Sequence, residues 1–211
     1  FFSLFICGAE SKPKPKVYIE KLKNGHYQLM VNKRPYIIKG VCYNPIPVGQ
    51  NHEYDWWADP NRPWEVDGKL MKDMGVNTIR VYSGIPKKWI EHIYNKYGIY
   101  TMLNHTFGRY GLTLNGAWVV NTEYSDPATR NLLLQEAKQM VTDYKDTKGL
   151  LLFLLGNENN YGLFWDGAET EDIPVEDRKS TPRAKAMYQL FNEATVAMKA
   201  IDNSHPIAIC N

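Results

Sequence analysis

The sequence predicts an α/β fold in which parallel strands alternate with amphipathic helices. The apolar run Leu150–Leu155 has no polar face, which indicates a strand in a parallel sheet covered by helices. Predicted helices end at Gly75, Gly98 and Gly149, each immediately before a predicted strand, as the left-handed closing turn of a helix favours. Repeated units of this kind form either a doubly wound sheet or a TIM (β/α)8 barrel.

Two segments precede these repeated units. An apolar run, small residues and then alternating Lys and Pro predict a signal-peptide remnant and linker at residues 1–16. We therefore expect an exported protein, located in the periplasm, outside the cell or at the cell surface; a buried N-terminal strand is the alternative. Residues 17–35 alternate polar and apolar side chains around Asn24-Gly25, which predicts a β-hairpin.

Residues 36–211 contain the predicted strand–helix units. Pro127, directly after the capping residue Asp126, and Pro182, directly after Thr181, mark the starts of the third and fourth helices. The helices are expected at residues 64–74, 86–97, 127–148 and 182–201. The strands are expected at residues 36–44, 77–82, 99–105, 150–158 and 205–211.

The loops favour the barrel over the doubly wound sheet. The turn after the first strand, residues 43–49, lacks the glycine spacing that exposes backbone amides to a phosphate. The loops after the strands are instead long and rich in Trp, Tyr, Asn and acidic residues, as in barrel enzymes. A complete barrel needs roughly 250 residues, so we expect it to be truncated here after about five strands. We also expect the chain alone to be inactive and to aggregate through unpaired edge strands.

Composition excludes several classes of protein. Lys and Arg total 25 against 23 Asp and Glu, so no basic excess is present to bind nucleic acid. A hydrophobic content of 44% argues against disorder. Neither the three scattered cysteines nor the histidines have metal-ligand spacing, and no apolar run approaches the ~20 residues of a transmembrane helix. We predict no metal, cofactor, nucleic-acid partner or transmembrane segment, and we expect Cys42 and Cys210 to be small buried residues.

Polar, hydrogen-bonding residues follow five consecutive strands. In a barrel, the carboxyl ends of the strands meet at the active site, so these residues predict a site for a hydroxyl-rich ligand. They are Tyr43, Asn44, Arg80, Tyr82, Asn104, His105, Asn157, Glu158 and Asn211.

Glu158 is the strongest candidate for chemistry. A carboxyl group at the end of a Leu/Phe strand is expected to be partly desolvated, which favours the protonated form that a general acid needs. Asn157 beside it can offer an amide to a substrate hydroxyl. The alternative is a glutamate that caps a helix or stabilises a loop.

Aromatic residues are abundant, with 6 Trp and 14 Tyr. Tyr161 and Trp165 follow Glu158 and could form a wall on which a sugar stacks, or could simply pack in the core. The same two interpretations remain for the tryptophans of the first long loop, Trp56, Trp57 and Trp64.

The order of several phrases resembles that of a known enzyme clan. The phrases are NKRPYIIKGV from Asn32, MGVNTIRVY from Met74, GIY from Gly98 and GNE from Gly156. They resemble the retaining glycoside hydrolases of the (β/α)8 clan, closest to the catalytic domain of glycoside hydrolase family 2, with β-1,3-glucanosyltransferases next. The resemblance implies that Glu158 is the acid/base, Asn157 contacts the sugar 2-hydroxyl, Arg80 orients the nucleophilic carboxylate and His105 lies in the substrate site.

The resemblance also implies the reaction. It is hydrolysis of O-glycosidic bonds in an oligo- or polysaccharide by retaining double displacement, which needs a second carboxylate about 5–5.5 Å from the first. In this clan that residue ends the seventh strand, so we expect the nucleophile to lie outside this chain. A glucan transglycosylase and a non-catalytic carbohydrate-binding barrel remain as alternatives.

Overall fold

The computed structural model describes residues 16–51, 53–82, 84–120, 122–160, 174 and 180–210. The predicted signal-peptide remnant and linker lie outside the described residues except for Lys16. The predicted sugar-stacking residues Tyr161 and Trp165, and the strand-end residue Asn211, also lie outside them.

A five-stranded parallel sheet is the centre of the fold. Its strands are β4 (Gly40–Cys42), β5 (Thr78–Val81), β6 (Tyr100–His105), β9 (Leu150–Leu155) and β10 (Ile207–Ile209). They lie in the order β10-β9-β6-β5-β4, so β4 and β10 are the two edges. The described residues therefore form the α/β arrangement and five strands expected from the sequence, as an open sheet and not a closed barrel.

Among the described residues, four α-helices connect neighbouring strands of the parallel sheet. They are α1 (Pro63–Asp73), α2 (Lys87–Tyr97), α3 (Pro127–Tyr144) and α4 (Ser180–Ile201). The carboxylate of Asp126 accepts a hydrogen bond of 2.7 Å from Thr129 N–H, and Pro127 occupies the first turn of α3, so both start signals act as predicted. None of these described helices has the length and apolar character needed to cross a membrane.

The helices cover one face of the five-stranded sheet. Ile79, Val81 and Leu103 point into the core beneath the helices, and Arg80 and Asn104 alternate with them on the opposite side, which we call the inner face. Helix residues that share this core include Trp64, Ile90, Leu133, Val141, Leu190 and Phe191. The alternation places Arg80 and Asn104 on the inner face, at the carboxyl ends of their strands.

A three-stranded antiparallel sheet lies near the amino ends of the parallel strands. It consists of β1 (Val17–Lys21), β2 (Tyr27–Val31) and β3 (Arg34–Pro35). Val17 and Val31 share a second buried cluster with Tyr100 and Leu152 of the parallel sheet. Tyr36, directly after β3, donates a hydrogen bond of 2.8 Å to the Asn77 carbonyl at the start of β5.

A second hairpin follows β6 and was not predicted from the sequence. Its strands are β7 (Leu112–Leu114) and β8 (Ala117–Val119), joined by Asn115 and Gly116. Both turn residues have positive φ, 51° and 81°, as a two-residue hairpin turn of this hand requires. The hairpin lies in the loop that follows the carboxyl end of β6.

Candidate functional site

Arg80 lies at the centre of a hydrogen-bonded cluster at the carboxyl ends of the strands. Its Nη2 donates to Oδ1 of Asn157 at 2.8 Å and to Oδ1 of Asn104 at 3.2 Å. Asn104 is buried, with 4% of its surface exposed. Because a guanidinium group only donates, Arg80 fixes which end of each amide faces it. The cluster therefore joins β5, β6 and the residues after β9.

Asn157 is held by two further contacts. Its Nδ2 donates to the Tyr110 hydroxyl at 2.8 Å, and its backbone N–H donates to Oδ1 of Asn159 at 2.7 Å. Since Nδ2 has two hydrogens, one remains for another acceptor. Asn157 thus keeps one orientation, and no described residue accepts its second amide hydrogen.

The buried side chain of Asn159 holds this turn in position. It is 5% exposed, and its Nδ2 donates to the Phe107 carbonyl at 2.9 Å and to the Tyr124 hydroxyl at 2.8 Å, with the Thr106 carbonyl at 3.2 Å sharing one of the two hydrogens. Burial raises the pKa of Tyr124 to about 12, although the Asn159 hydrogen bond acts in the opposite direction. Asn159 therefore ties the turn after β9 to the loop after β6.

Tyr82 packs beside Arg80 on the inner face. Its ring centre is 4.5 Å from the guanidinium carbon, within the range of a cation–π contact. Its hydroxyl donates to the Cys42 sulfur at 3.4 Å. That hydrogen bond and burial together raise the pKa of Tyr82. Cys42 itself is exposed and Cys210 is half-buried, so the expectation that both are buried is wrong; each lies at the end of an edge strand.

Glu158 lies in a strained turn beyond the end of β9. Its φ is 56°, in the left-handed region, and its N–H donates to the Cys210 carbonyl at 2.7 Å. The side chain is exposed, and its carboxylate makes no hydrogen bond or ion pair with any residue that the structure describes. The expected partial desolvation is therefore wrong, because Glu158 lies three residues past Leu155, where the apolar strand ends.

The turn has space only for glycine at position 156. Gly156 has a φ of 80°. A β-carbon there would collide with Oδ1 of Asn159 and lie 2.9 Å from Cζ of Phe191. The glycine in the sequence GNE is thus required by the close approach of Asn159.

Two predicted residues of the first strand do not reach this cluster. Tyr43 is buried on the helix-covered side, where its hydroxyl donates to Oδ2 of Asp67 in α1 at 2.7 Å. Burial and the neighbouring Asp67 carboxylate raise its pKa well above the usual value for tyrosine. Because Cys42 faces inward, the next side chain must face the helices. Asn44 is exposed in the following loop.

His105 also faces the helices. Its Nε2 is 3.4 Å from Oε2 of Glu136 in α3, and its Nδ1 accepts a hydrogen bond of 3.1 Å from Phe107 N–H. Asn104, one residue earlier, takes the inward position beside Arg80. The structure therefore brings Arg80, Tyr82, Asn157 and Glu158 to one edge of the sheet, but not His105.

Asn104 is among the polar residues expected near the strand ends, but the sequence assigns it no specific role. Asn159 and Tyr110 are the residues of the cluster that the sequence does not indicate. Asn159 follows in the run Asn157-Glu158-Asn159-Asn160, where nothing distinguishes it. Tyr110 lies 47 residues before its partner Asn157, and no local pattern indicates that contact.

Comparison with known families decides the class of the chain. The family model "Glycosyl hydrolases family 2, TIM barrel domain" matches residues 21–208. The chain belongs to glycoside hydrolase family 2. Family 2 domains are glycosidase domains, so this membership supports a hydrolase that acts on carbohydrate.

Two relatives of the family 2 chain have described activities. A probable 1,3-β-glucanosyltransferase of Saccharomyces cerevisiae is 32% identical over 135 residues, covering 58% of this chain and 23% of that protein. A β-galactosidase of Lactococcus lactis is 27% identical over 153 residues, covering 72% of this chain and 14% of that protein. The family 2 chain thus spans less than a quarter of the length of either relative.

Solved structures support the fold. A β-D-glucuronidase of Dictyoglomus thermophilum superposes with a TM-score of 0.60 at 16% identity, covering 92% of this chain and 28% of that one. A β-glucuronidase of Parabacteroides merdae superposes with a TM-score of 0.62 at 17% identity, covering 92% of this chain and 20% of that one. At this level of identity the likeness shows only that the family 2 chain shares the fold of the matched part of these proteins.

Proposed function

We propose that this family 2 chain contributes the acid/base residue of a retaining glycosidase, and that this residue is Glu158. The observation that best supports the proposal is the position of its exposed carboxylate, directly after Asn157. Asn157 is oriented by the Arg80 hydrogen bond of 2.8 Å at the carboxyl edge of the sheet. Barrel enzymes build their active sites at this edge.

The proposed reaction has two steps. In the first, protonated Glu158 gives its proton to the glycosidic oxygen while a carboxylate nucleophile attacks the anomeric carbon, so the C–O bond breaks and a glycosyl ester forms. In the second, ionised Glu158 takes a proton from water as the water oxygen attacks the same carbon. The ester bond breaks, and the sugar leaves with its original configuration.

Arg80 and Asn157 would position the reactants. The Asn157 amide hydrogen that Tyr110 does not use can donate to the sugar 2-hydroxyl. Arg80 Nε and Asn104 Nδ2 are buried and have no hydrogen-bond partner among the described residues. Buried donors of this kind suit a carboxylate acceptor, which supports a role for Arg80 in orienting the nucleophile. We propose that a residue outside this chain supplies that nucleophile.

Transfer to a sugar is a second candidate outcome of the same chemistry. The S. cerevisiae relative is named as a probable glucanosyltransferase, which favours this candidate. Glu158 would then take the proton from an acceptor sugar hydroxyl instead of from water. Product analysis with added laminaritriose distinguishes the two, because transfer gives products longer than the substrate.

The decisive experiment replaces Glu158 in the full-length protein. Glu158→Gln removes the proton donor at nearly constant volume, so turnover of β-D-galactosides, glucosides and glucuronides should fall by about 100-fold or more. Sugar binding, measured by calorimetry, should persist. The matched control is Glu20→Gln on the exposed part of β1, which should leave turnover unchanged.

Two results would contradict the proposal. Unchanged turnover of the Glu158→Gln variant would remove Glu158 from the mechanism. Sugar binding by the wild-type protein without turnover of any of these glycosides would instead identify a non-catalytic carbohydrate-binding barrel.

A further inference from the structure

The β7–β8 hairpin presents an exposed tryptophan on a firmly anchored base. Leu112 is buried in the core, and Leu114 and Val119 pack against it from the same face of the hairpin. Trp118, paired with Thr113 on the other face, is 61% exposed. Packing of the hairpin on the core therefore explains its leucines and valine but not its tryptophan.

Tyr110 connects this hairpin to the candidate site. It lies two residues before β7 and is 54% exposed, yet its hydroxyl accepts the hydrogen bond of 2.8 Å from Asn157 Nδ2. The guanidinium carbon of Arg109 lies 5.2 Å from the ring centre, in the range of a cation–π contact. The hydroxyl of Tyr110 thus contacts the site, while about half of the residue's surface is exposed to solvent.

Gly111 follows Tyr110 in the chain and lies against the side chain of Trp118. Gly111 has a φ of 100°, and a β-carbon added to it would lie 2.8 Å from Cζ2 and 3.0 Å from Cε2 of Trp118. The indole therefore lies against the backbone directly after Tyr110, where no other residue would leave it room. Exposed aromatic residues that occur singly need no explanation, but Trp118 packs against the residue that follows Tyr110, whose hydroxyl bonds to Asn157 of the site.

We propose that Tyr110 and Trp118 form a binding subsite for a sugar unit beyond the one that is cleaved. The inference rests on the proposed glycosidase function and deepens it, because it names the substrate class as an oligo- or polysaccharide in place of a simple glycoside. The C–H groups of a pyranose pack on aromatic faces, and a flat, rigid surface loses little entropy when it binds. Tyr110 would also align this unit with Asn157 through their shared hydrogen bond.

The test compares a long and a short substrate in the full-length protein. The short substrates are β-D-galactosyl fluoride and β-D-glucosyl fluoride, which contain no second sugar to stack. The long ones are β-1,4-galactotriose and laminaritriose. The measured quantity is kcat/KM for the trisaccharide divided by kcat/KM for the fluoride of the same sugar. Trp118→Ala should lower this ratio by about tenfold for the sugar that the protein turns over. Trp118→Tyr, which keeps a ring, should restore most of the ratio.

The control is Tyr27→Ala, which removes an aromatic side chain of similar exposure, 69%, from β2 in the three-stranded sheet. It should not change the ratio. An unchanged ratio in Trp118→Ala, or an equal loss on both substrates, would overturn the subsite while leaving the role of Glu158 intact. If the wild type turns over none of these substrates, the proposed function fails. In that case the affinities of the wild type and of Trp118→Ala for the two trisaccharides are compared by calorimetry. Weaker binding by Trp118→Ala would support the subsite, and equal binding would contradict it.

Discussion

Arg80 and Asn157 are joined by a hydrogen bond of 2.8 Å from Nη2 to Oδ1, although 77 residues separate them in the sequence. The same Nη2 also reaches Asn104 at 3.2 Å. The orientation of the amide beside Glu158 is therefore set by a residue of β5, two strands away from β9 in the sheet. This relationship predicts that Arg80 contributes to stability, and under the proposed function it would also position the substrate.

Replacing Arg80 with Met should show both effects. The change leaves the buried Oδ1 of Asn104 without its donor, so the free energy of unfolding should fall by about 1–3 kcal/mol, measured by urea denaturation. The fall should be non-additive with Asn157→Ala, because both variants remove the same hydrogen bond. Arg34→Met, at an exposed position in β3, is the control. Strict additivity would show that the Arg80–Asn157 bond contributes nothing.

A pair of glycine variants separates backbone strain from steric conflict. Gly75 and Gly156 both have a φ of 80°, but a β-carbon on Gly75 meets nothing within 4 Å. Gly75→Ala should therefore cost about 1 kcal/mol from the left-handed backbone alone. Gly156→Ala should cost a further 1–3 kcal/mol, roughly, because Asn159 and Phe191 must move. Equal thermal shifts for the two variants would mean that the turn can relax.

His105 and Asn104 offer a test of which side chain faces the substrate. Asn104→Ala should lower kcat/KM more than His105→Gln does, because Asn104 contacts Arg80 while His105 contacts Glu136. His105→Gln should instead change stability by less than about 1 kcal/mol, as expected for a partly exposed polar contact of 3.4 Å. A larger kinetic loss from His105→Gln would place the histidine in the substrate site after all.

The contact between α1 and α2 predicts acid sensitivity. Burial alone would raise the pKa of Glu65, but hydrogen bonds from Lys96 and Tyr97 lower it from 4.5 to about 2. Because the folded-state pKa is the lower one, this stabilisation is complete above about pH 4.5 and is lost as the pH falls towards 2. In Glu65→Gln the unfolding free energy should fall less steeply over this range. Glu20→Gln should keep the wild-type slope.

The helices and strands could be predicted because their ends have strong local signals. Asp126 and Pro127 start α3 where expected, and Gly98 ends α2 with a φ of 72°. The wholly apolar Leu150–Leu155 is buried throughout. Each of these signals acts within a few residues, so it is visible in the sequence alone.

The direction of side chains at the strand ends could not be predicted in the same way. A strand end uncertain by one residue leaves open which of two neighbours faces inward. Tyr43 and His105 were therefore grouped with the site, although both face the helices. Contacts such as Tyr110 with Asn157 depend on the packing of separate loops, which no local pattern encodes.

The β7–β8 hairpin had a signal that could have identified it. Asn115-Gly116 is a favoured two-residue turn, and it lies between the short runs Leu112–Leu114 and Ala117–Val119. The surrounding segment, residues 106–125, instead resembles a long barrel loop. The sequence therefore does not single out the aromatic residues of this segment. Trp64, for which sugar stacking and core packing are both possible from the sequence, is buried against Trp57 and Trp89.

The positive φ of Glu158 has a consequence for how this position can evolve. A side chain with a β-carbon is disfavoured there by about 1–2 kcal/mol, and glycine would relieve that strain. Selection for thermal tolerance alone should thus drive position 158 towards glycine or asparagine. A second selection that also demands turnover should retain glutamate if the proposed role of Glu158 is right, so the difference between the two selected libraries would separate folding from function at this position.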